Sequence, residues 1–384
     1  MIQISDKAKC VGCHACYSCC PKLCISMEKD DEGFMYPRVD QNVCINCKKC
    51  ERVCPVIQKS VPQHFSEVSL AAFSKDEQTR NNSSSGGVFS ALAQIVLKHQ
   101  GVIFGAAFDN EFQVHHIRVD SIDGLEKLRG SKYVQSRIED TFKEAKEILE
   151  SGKEVYFSGS PCQIDGLKNY LGKEYGNLIT QDIICHGVPA PYVWGKYLDS
   201  VKKKLNSEIK RVTFRDKLYG WRKYSIKIEG ANGNVEISTF LENPMMKAYL
   251  RDMCLRPSCY NCPSKGVKRS SDITLADFWN VSEFVDDFDD NRGVDLIVCH
   301  SLKGLELLRE ANSALVCRQV DMRAAYENVP MNNSSKLPSN RDDFIGCLEK
   351  NTFMRAAKKY CTIPMHERIE AKIKLIFKKI SKRK

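Results

Sequence analysis

The chain has 384 residues, 42% of them hydrophobic and 28% charged, the proportions of a water-soluble globular protein of two or three domains. No apolar run approaches the ~20 residues that a membrane-spanning helix requires, and Met1 opens on polar residues instead of a secretory leader, so a cytoplasmic protein is expected. The net charge of +10 is concentrated in residues 365–384, where eight Lys and Arg face two Glu; the remaining body is only mildly basic, which argues against a nucleic-acid-binding core.

Nineteen cysteines in a chain without a leader point to a reducing compartment and to metal ligation over disulfides. Nine of them fall in two runs, eight at the positions of an internal repeat. Residues 10–21 read Cys-Val-Gly-Cys-His-Ala-Cys-Tyr-Ser-Cys-Cys-Pro and residues 44–55 read Cys-Ile-Asn-Cys-Lys-Lys-Cys-Glu-Arg-Val-Cys-Pro. Each is a C-x2-C-x2-C-x3-C-P run of the kind that holds [4Fe–4S] clusters in bacterial ferredoxins. Three cysteines at two-residue intervals wrap one face of an iron–sulfur cube, and the fourth thiolate comes from the other run. The expected ligand sets are Cys10, Cys13, Cys16 and Cys54 for the first cluster, and Cys44, Cys47, Cys50 and Cys20 for the second. Cys19 and Cys24 are left over as small buried residues beside the clusters. Zinc knuckles and a disulfide scaffold are the competing readings, but zinc sites use paired C-x2-C units and this run is a triple followed by Cys-Pro. Residues 1–60 are thus an electron-carrying module, with a turn at Asp30-Asp31-Glu32-Gly33 and a linker out of it at Val61-Pro62-Gln63-His64.

A second domain begins near Val68. Its first motif is Asn81-Asn82-Ser83-Ser84-Ser85-Gly86-Gly87, followed by Val88, Phe89, Leu92, Ile95 and Val96 at helical spacing. Small residues let the backbone approach a ligand, and a helix start offers free N–H groups and a positive dipole end, a combination suited to phosphate. A plain Ser-Gly helix cap has the same letters. Neither G-x-G-x-x-G after a strand nor G-x-x-x-x-G-K-[ST] occurs. Strands at 101–108 and 112–119 and an amphipathic helix at 138–149 follow. A strand at 154–157 runs into Ser158-Gly159-Ser160-Pro161-Cys162-Gln163 and a helix, and another at 177–184 ends on Cys185-His186-Gly187-Val188-Pro189. Ligands gather beyond the carboxyl ends of strands in α/β sheets, which would bring Cys162 and Cys185 side by side. Two unrelated buried cysteines are the plainer reading.

Farther along, Val212-Thr213-Phe214-Arg215-Asp216-Lys217 and Gly220-Trp221 set two cations beside an indole. Arg215, Lys217 and Trp221 suit an anionic ring or a phosphorylated substrate, and equally a surface salt-bridge cluster with Asp216. A hairpin joins 226–229 to 235–240 across Gly230 to Gly233. Cys259-Tyr-Asn-Cys262 then repeats the chelating step of the first module. It needs two more thiolates, for which Cys162 and Cys185 are the candidates and Cys254 the reserve; zinc is the other metal that four such ligands suit. A strand at 294–299 leads into a helix, and Cys299, Cys317, Cys347 and Cys361 are scattered, structural positions. His186, beside Cys185, invites a general-acid reading, but a His next to a cluster cysteine is at least as often a hydrogen-bond donor to the ligand set. At the end of the chain Ile369, Ile373, Ile376, Phe377 and Ile380 share one face of a helix that is otherwise Lys and Arg. That pattern suits either packing on the body or docking on an anionic membrane surface.

Together, Ser-Gly-Gly-Val-Phe-Ser-Ala-Leu at 85–92, Lys132-Tyr-Val-Gln-Ser136, Gly-Ser-Pro-Cys-Gln at 159–163, Cys-His-Gly-Val-Pro at 185–189, and the Cys-x2-Cys ahead of Ser-Asp-Ile-Thr-Leu-Ala-Asp-Phe-Trp at 271–279 resemble one family. It is the family of coenzyme F420 hydrogenase/dehydrogenase beta subunits, in its bacterial branch with a fused two-cluster ferredoxin, and the likeness runs from Cys10 to about Leu308. The resemblance implies an α+β fold, in which the ferredoxin-type module precedes an α/β flavin- and iron–sulfur-binding body with mixed sheets. Residues 61–190 and 191–364 would be the amino- and carboxyl-terminal domains of the beta subunit, and 365–384 a basic amphipathic tail. It further implies a bound FAD and a third [4Fe–4S] cluster on Cys162, Cys185, Cys259 and Cys262. Ser84, Ser85, Gly86 and Gly87 become the flavin phosphate contacts, and Lys132, Ser160 and Gln163 the surroundings of the ring and ribityl chain. Ser160 stands where many relatives have Thr, which keeps the hydroxyl. The implied activity is an oxidoreductase fed by reduced ferredoxin or flavodoxin. Its acceptor would be a sugar-nucleotide or lipid-linked glycan intermediate of polysaccharide biosynthesis, or the deazaflavin coenzyme. A non-catalytic electron-transfer subunit is the opposing reading.

Overall fold

A computed structural model describes residues 1–59, 65 and 67–362. The linker at 61–64 and the amphipathic tail at 365–384 lie outside the described residues. In the amino-terminal module the cysteine repeat becomes a structural repeat. Each run turns through a left-handed residue, His14 at φ 61° and Lys48 at φ 58°, into a single helical turn, Ala15–Ser18 and Lys49–Arg52. Between them lies an antiparallel hairpin of β1 (Ile25–Lys29) and β2 (Met35–Val39). Its turn is held by the Asp30 carboxylate, which accepts the N–H groups of Glu32 and Phe34, with Gly33 at φ +82°.

The module is built into the body, not appended to it. Phe34 is buried in the same apolar cluster as Trp194 and Phe214, and Val11, Cys13 and Ala15 pack with Phe104, Phe157 and Leu167. Arg341 forks onto Glu32 at 2.6 and 3.0 Å, closing 309 residues of chain. A bidentate guanidinium–carboxylate pair of this kind adds orientation as well as energy.

The body is organised by a mixed sheet of eight strands. In chain order its members are β3 (Val68–Ser74), β4 (Val102–Phe108), β5 (Val114–Val119), β6 (Val155–Ser158), β7 (Leu178–Ile183), β11 (Ile273–Asp277), β12 (Asp295–Cys299) and β13 (Leu315–Val320). Across the sheet they lie as β13-β3-β12-β11-β7-β6-β4-β5. The four central strands β4, β6, β7 and β11 run parallel, and the flanking pairs are antiparallel. The sheet therefore takes strands from both sides of residue 190, the boundary expected between the two parts of the body. Alternation along the strands feeds two cores. Ile103, Tyr156 and Ile179 face the helix Val88–Lys98, while Phe104, Phe157 and Leu178 face the helices Thr141–Glu150 and Pro161–Leu171. A smaller antiparallel sheet, ordered β10-β9-β8, is made of β8 (Ile209–Asp216), β9 (Ser225–Gly230) and β10 (Val235–Thr239). It packs on the helix Pro191–Leu205 through Phe214, Ile226 and Ile228.

Candidate redox site

Two cavities in the amino-terminal module are lined by thiols. Cys10, Cys13, Cys16 and Cys54 surround one, and Cys20, Cys44, Cys47 and Cys50 the other. The exchange of Cys20 and Cys54 between the two runs is the pairing expected from their spacing. The first cavity lies against the body, where a side chain at Gly166 would come within 2.8 Å of Cys13 Sγ. The second is rimmed by exposed residues, with Ile45 58% exposed beside it. Cys24 also lines the second cavity, its Sγ 3.4 Å from that of Cys20. Cys19 turns away and donates to the Cys16 carbonyl.

A third cavity is lined by Cys162, Cys185, Cys259 and Cys262, so residues 100 positions apart converge as the fold brings them together. Cys162 sits in the first turn of the helix Pro161–Leu171, Cys185 just past the end of β7, and Cys259 and Cys262 on the turn Pro257–Asn261 and its cap. Cys254 is elsewhere, buried in the apolar cluster that also holds Cys361. Burial, together with the neighbouring thiols, pushes Cys185 and Cys259 up to about 12. The four can become thiolates together only against compensating positive charge, of the kind a bound metal would supply. Lys265 and Arg269 add fixed cations to the wall, with Lys265 Nζ 2.5 Å from the Cys185 carbonyl. Among the described residues no three His, Cys, Asp or Glu side chains converge on a point as a single metal ion requires; these cysteines stand around a space instead.

The largest of the cavities described, about 330 Å³, lies at the carboxyl ends of β4, β6, β7 and β11, where ligands collect in parallel sheets, and its size is that of a cofactor site. Ser84, Ser85, Gly87, Lys132, Ser160 and Gln163 line it. Gly86 stands behind the lining, where a β-carbon would lie 2.6 Å from the Ala72 carbonyl oxygen and 2.9 Å from the Asp295 nitrogen. The loop is pinned from several sides. Ser83 Oγ donates to the Thr79 carbonyl, Ser85 Oγ to the Val294 carbonyl, and Ser84 Oγ accepts from Ser131 N–H at 2.7 Å.

One N–H at the start of the helix Val88–Lys98, where the sequence reading expects free N–H groups, is already taken. The Asp295 carboxylate accepts the Val88 N–H at 2.9 Å, and burial pushes this carboxyl up to about 6. Lys132 points its ammonium at the carbonyls of Lys127, Leu128 and Arg129, closing the end of the helix Ile122–Leu128; burial lowers it to about 7, while the helix end favours its charge. Ser160 and Gln163 form a capping box on the helix Pro161–Leu171, and Gln163 Nε2 reaches the Ser136 carbonyl. Among the described residues, one buried side-chain polar atom in this wall lacks a partner, Gln181 Oε1. A ligand with an N–H or O–H group would satisfy it.

Arg215, Lys217 and Trp221 do not form an open anion patch. Arg215 forks onto Asp277 at 2.8 and 2.8 Å and donates to Tyr133 Oη. Trp221 is fully buried, stacked on Trp279 at 4.4 Å, and gives its N–H to the same Asp277. Lys217 donates to the carbonyls of Arg80, Ser85 and Arg292. The three brace the cavity wall from outside, and the acid that Arg215 and Trp221 serve is Asp277, not Asp216. Asp277, Asp295, Gln181 and Tyr133 are lining residues that the sequence did not single out.

The large cavity and the thiol cavities adjoin, the first and second thiol cavities through the buried cluster that holds Cys16, Cys20 and Cys50. Cys162, Cys185, His186, Gly187 and Val188 line both the large cavity and the third thiol cavity. Val11 lines both the third and the first. His186 Nε2 is 2.6 Å from Asp252 Oδ1 in this partition.

Two family models match the chain. Residues 152–324 match the model of the coenzyme F420 hydrogenase/dehydrogenase beta subunit carboxyl terminus, and residues 9–57 match the 4Fe-4S dicluster domain. A component of the F(420)H(2) dehydrogenase of Methanosarcina mazei is 26% identical over 166 residues, 40% of this chain and 46% of that protein, so the chain spans about half the length of that relative. An uncharacterized ferredoxin of Methanocaldococcus jannaschii is 44% identical over 52 residues, 14% of this chain and 66% of its own. Among solved structures, a chain of the F420-reducing [NiFe] hydrogenase complex from Methanosarcina barkeri aligns over 80% of this chain and 98% of its own length, with 16% identity and a TM-score of 0.45.

Proposed function

Because the chain belongs to the family of coenzyme F420 hydrogenase/dehydrogenase beta subunits and carries a dicluster ferredoxin module at its head, we propose that it is a flavin- and iron–sulfur-dependent oxidoreductase. It would take single electrons from a reduced ferredoxin or flavodoxin and pass them to a small-molecule acceptor. The observation that carries this reading is the series of neighbouring cavities: second thiol cavity, first, third, then the large cavity. Such a series serves electron transfer and has no use in a zinc-stabilised scaffold.

In this reading Cys162, Cys185, Cys259 and Cys262 hold a third [4Fe–4S] cluster, and the large cavity holds FAD. When bound, the flavin exchanges one-electron for two-electron chemistry, and the protein supplies placement. Ser84, Ser85 and Ser131 offer hydroxyls at one end, Gln181 Oε1 a free acceptor in the wall, and Tyr133 and Tyr249 aromatic surface. Ile183, 43% exposed and in the lining, opens the cavity to solvent, which favours an acceptor reaching the site over a relay sealed within a larger complex. A glycan intermediate is the acceptor we favour and coenzyme F420 the alternative.

Anaerobic purification with iron, sulfide and flavin counts tests the proposal. It expects about twelve irons, four for each cube, and one FAD per chain. A count near eight with zinc making up the difference would remove the third cluster, and protein without flavin would remove the FAD site.

A further inference from the structure

Among the described residues five arginines are buried, and four of them have a carboxylate. Arg80 pairs with Asp290, Arg215 with Asp277, Arg269 with Asp182 and Arg341 with Glu32. Arg256 is the most deeply buried, at 0% exposed, and among the described residues no carboxylate lies within ion-pair distance of it. Its Nε donates to the Cys10 carbonyl at 2.7 Å, Nη1 to Gln135 Oε1 at 2.8 Å, and Nη2 to the Met35 carbonyl at 2.9 Å. Nη2 also lies 3.5 Å from Cys10 Sγ. The rings of Phe34 and Tyr36 flank the guanidinium at 5.2 and 4.3 Å. Space has been cleared for it: a β-carbon on Gly12 would sit 2.7 Å from Nη1. The same side chain lines the third thiol cavity.

An uncompensated guanidinium in the interior is costly, and neutral carbonyls and rings do not cancel its charge. The anions available to it are the groups the cysteines hold. A cube bound by four thiolates is a dianion when oxidised and a trianion when reduced, and its potential follows nearby charge and hydrogen bonds to its sulfurs. We infer that Arg256 is the fixed counter-charge shared by the first and third cluster sites, holding both at higher potential than the second and so directing electrons inward. The inference rests on the proposed cluster set. Each transfer moves one electron, leaving the outer site one unit more oxidised and the inner site one unit more reduced. No bond changes and no proton is needed, since a guanidinium stays charged at every working pH. Among the described residues the second site has no buried counterpart: the Met1 α-ammonium on its wall is paired with Glu51 at 2.6 Å. Its other cations, Lys22, Lys48 and Lys49, are on the surface, where water and salt screen them.

The test is an EPR-monitored redox titration of anaerobically purified wild type, Arg256→Gln and Arg256→Lys, with iron counted in each; Cys47→Ala identifies the signal of the second cluster. In Arg256→Gln the reduced-to-oxidised ratio of two clusters at a fixed ambient potential should fall at least tenfold, which is 59 mV for a one-electron couple. The second cluster should not move, and Arg256→Lys should restore most of the shift. Unchanged titrations in an iron-replete Gln variant overturn the inference. If that variant loses iron, the wild type decides, because the second cluster must then be the lowest of the three in potential and any other order overturns it. A wild-type iron count below that of three cubes would instead reveal a failure of the cluster assignment.

Discussion

At Asp277 a carboxylate is set into the wall of the large cavity, and Arg215 makes that tolerable. The guanidinium takes both carboxylate oxygens and stacks on Tyr224 at 4.0 Å. Breaking one side of a buried pair typically costs about 3–5 kcal/mol, because the partner stays behind uncompensated. Arg215→Ala should therefore lower the unfolding free energy by about that amount in urea titrations, and Arg215→Lys, which cannot fork, should recover only part of it. An Arg215→Ala protein of wild-type stability with slowed turnover would return this residue to substrate binding. Asp295 gives a pH signature. Folding raises its carboxyl to about 6, so its contribution favours the folded state at low pH and is lost as the pH climbs through that value. Between pH 5 and 8 the loss amounts to about 1.4 kcal/mol, and Asp295→Asn should lack it, which urea midpoints at the two pH values would reveal. The cysteines were legible in the sequence because a cube demands close, regular ligand spacing. Arg256 and Asp295 were not, because each acts on groups more than 200 positions away, Cys10 and Val88. Nothing local marks either of them.

Among the elements, the Ser83–Gly87 loop was recognised by its small residues, but the reason for those residues differs within it. Gly87 adopts φ +89°, a left-handed backbone, while Gly86 is required by contact with the strand behind it. Gly86→Ala drives a methyl group into the Ala72 carbonyl and should displace the loop. We expect most of the flavin to be lost and the iron of the amino-terminal pair retained, read from the visible spectrum and an iron assay; full flavin content would show that the loop does not bear on the cofactor. The strands β4, β5, β6, β7 and β12 were read within a residue or two because their apolar runs are bounded by turn residues. The strand β3 was missed: Val-Ser-Leu-Ala-Ala-Phe-Ser is buried through Ser and Ala, which carry little strand signal. The outer face of the ferredoxin module was legible only as cysteines. Around the second cavity Leu23 (76% exposed) and Ile45 stand among Lys22, Lys48, Lys49 and Arg52. An apolar centre with a basic rim suits an acidic electron carrier. Lys22→Glu, Lys49→Glu and Arg52→Glu together should slow cluster reduction by flavodoxin at low salt about tenfold or more, with reduction by dithionite unchanged.

For the whole molecule, the order of the cavities is the property from which function follows. That order comes from topology, since the parallel strands β6 and β7 deliver Cys162 and Cys185 to one edge of the sheet, and the turn Pro257–Asn261 brings Cys259 to meet them. The ferredoxin module is then clamped by Arg341 and Glu32, with the burial of Phe34, in the single position that sets Val11 against the same cavity. The third thiol site is thus the only one whose walls touch both the module and the large cavity among the cavities described, and removing it should divide the protein into two working halves. Cys259→Ala should keep the amino-terminal pair and the flavin while losing about four irons. When dithionite or a ferredoxin reduces the amino-terminal clusters of this variant in a stopped-flow mixer, their absorbance should bleach at the wild-type rate. Bleaching of the flavin band should lag by orders of magnitude. Simultaneous bleaching of both would mean that electrons reach the flavin without the third site, and the serial arrangement of cavities would then have no part in the reaction.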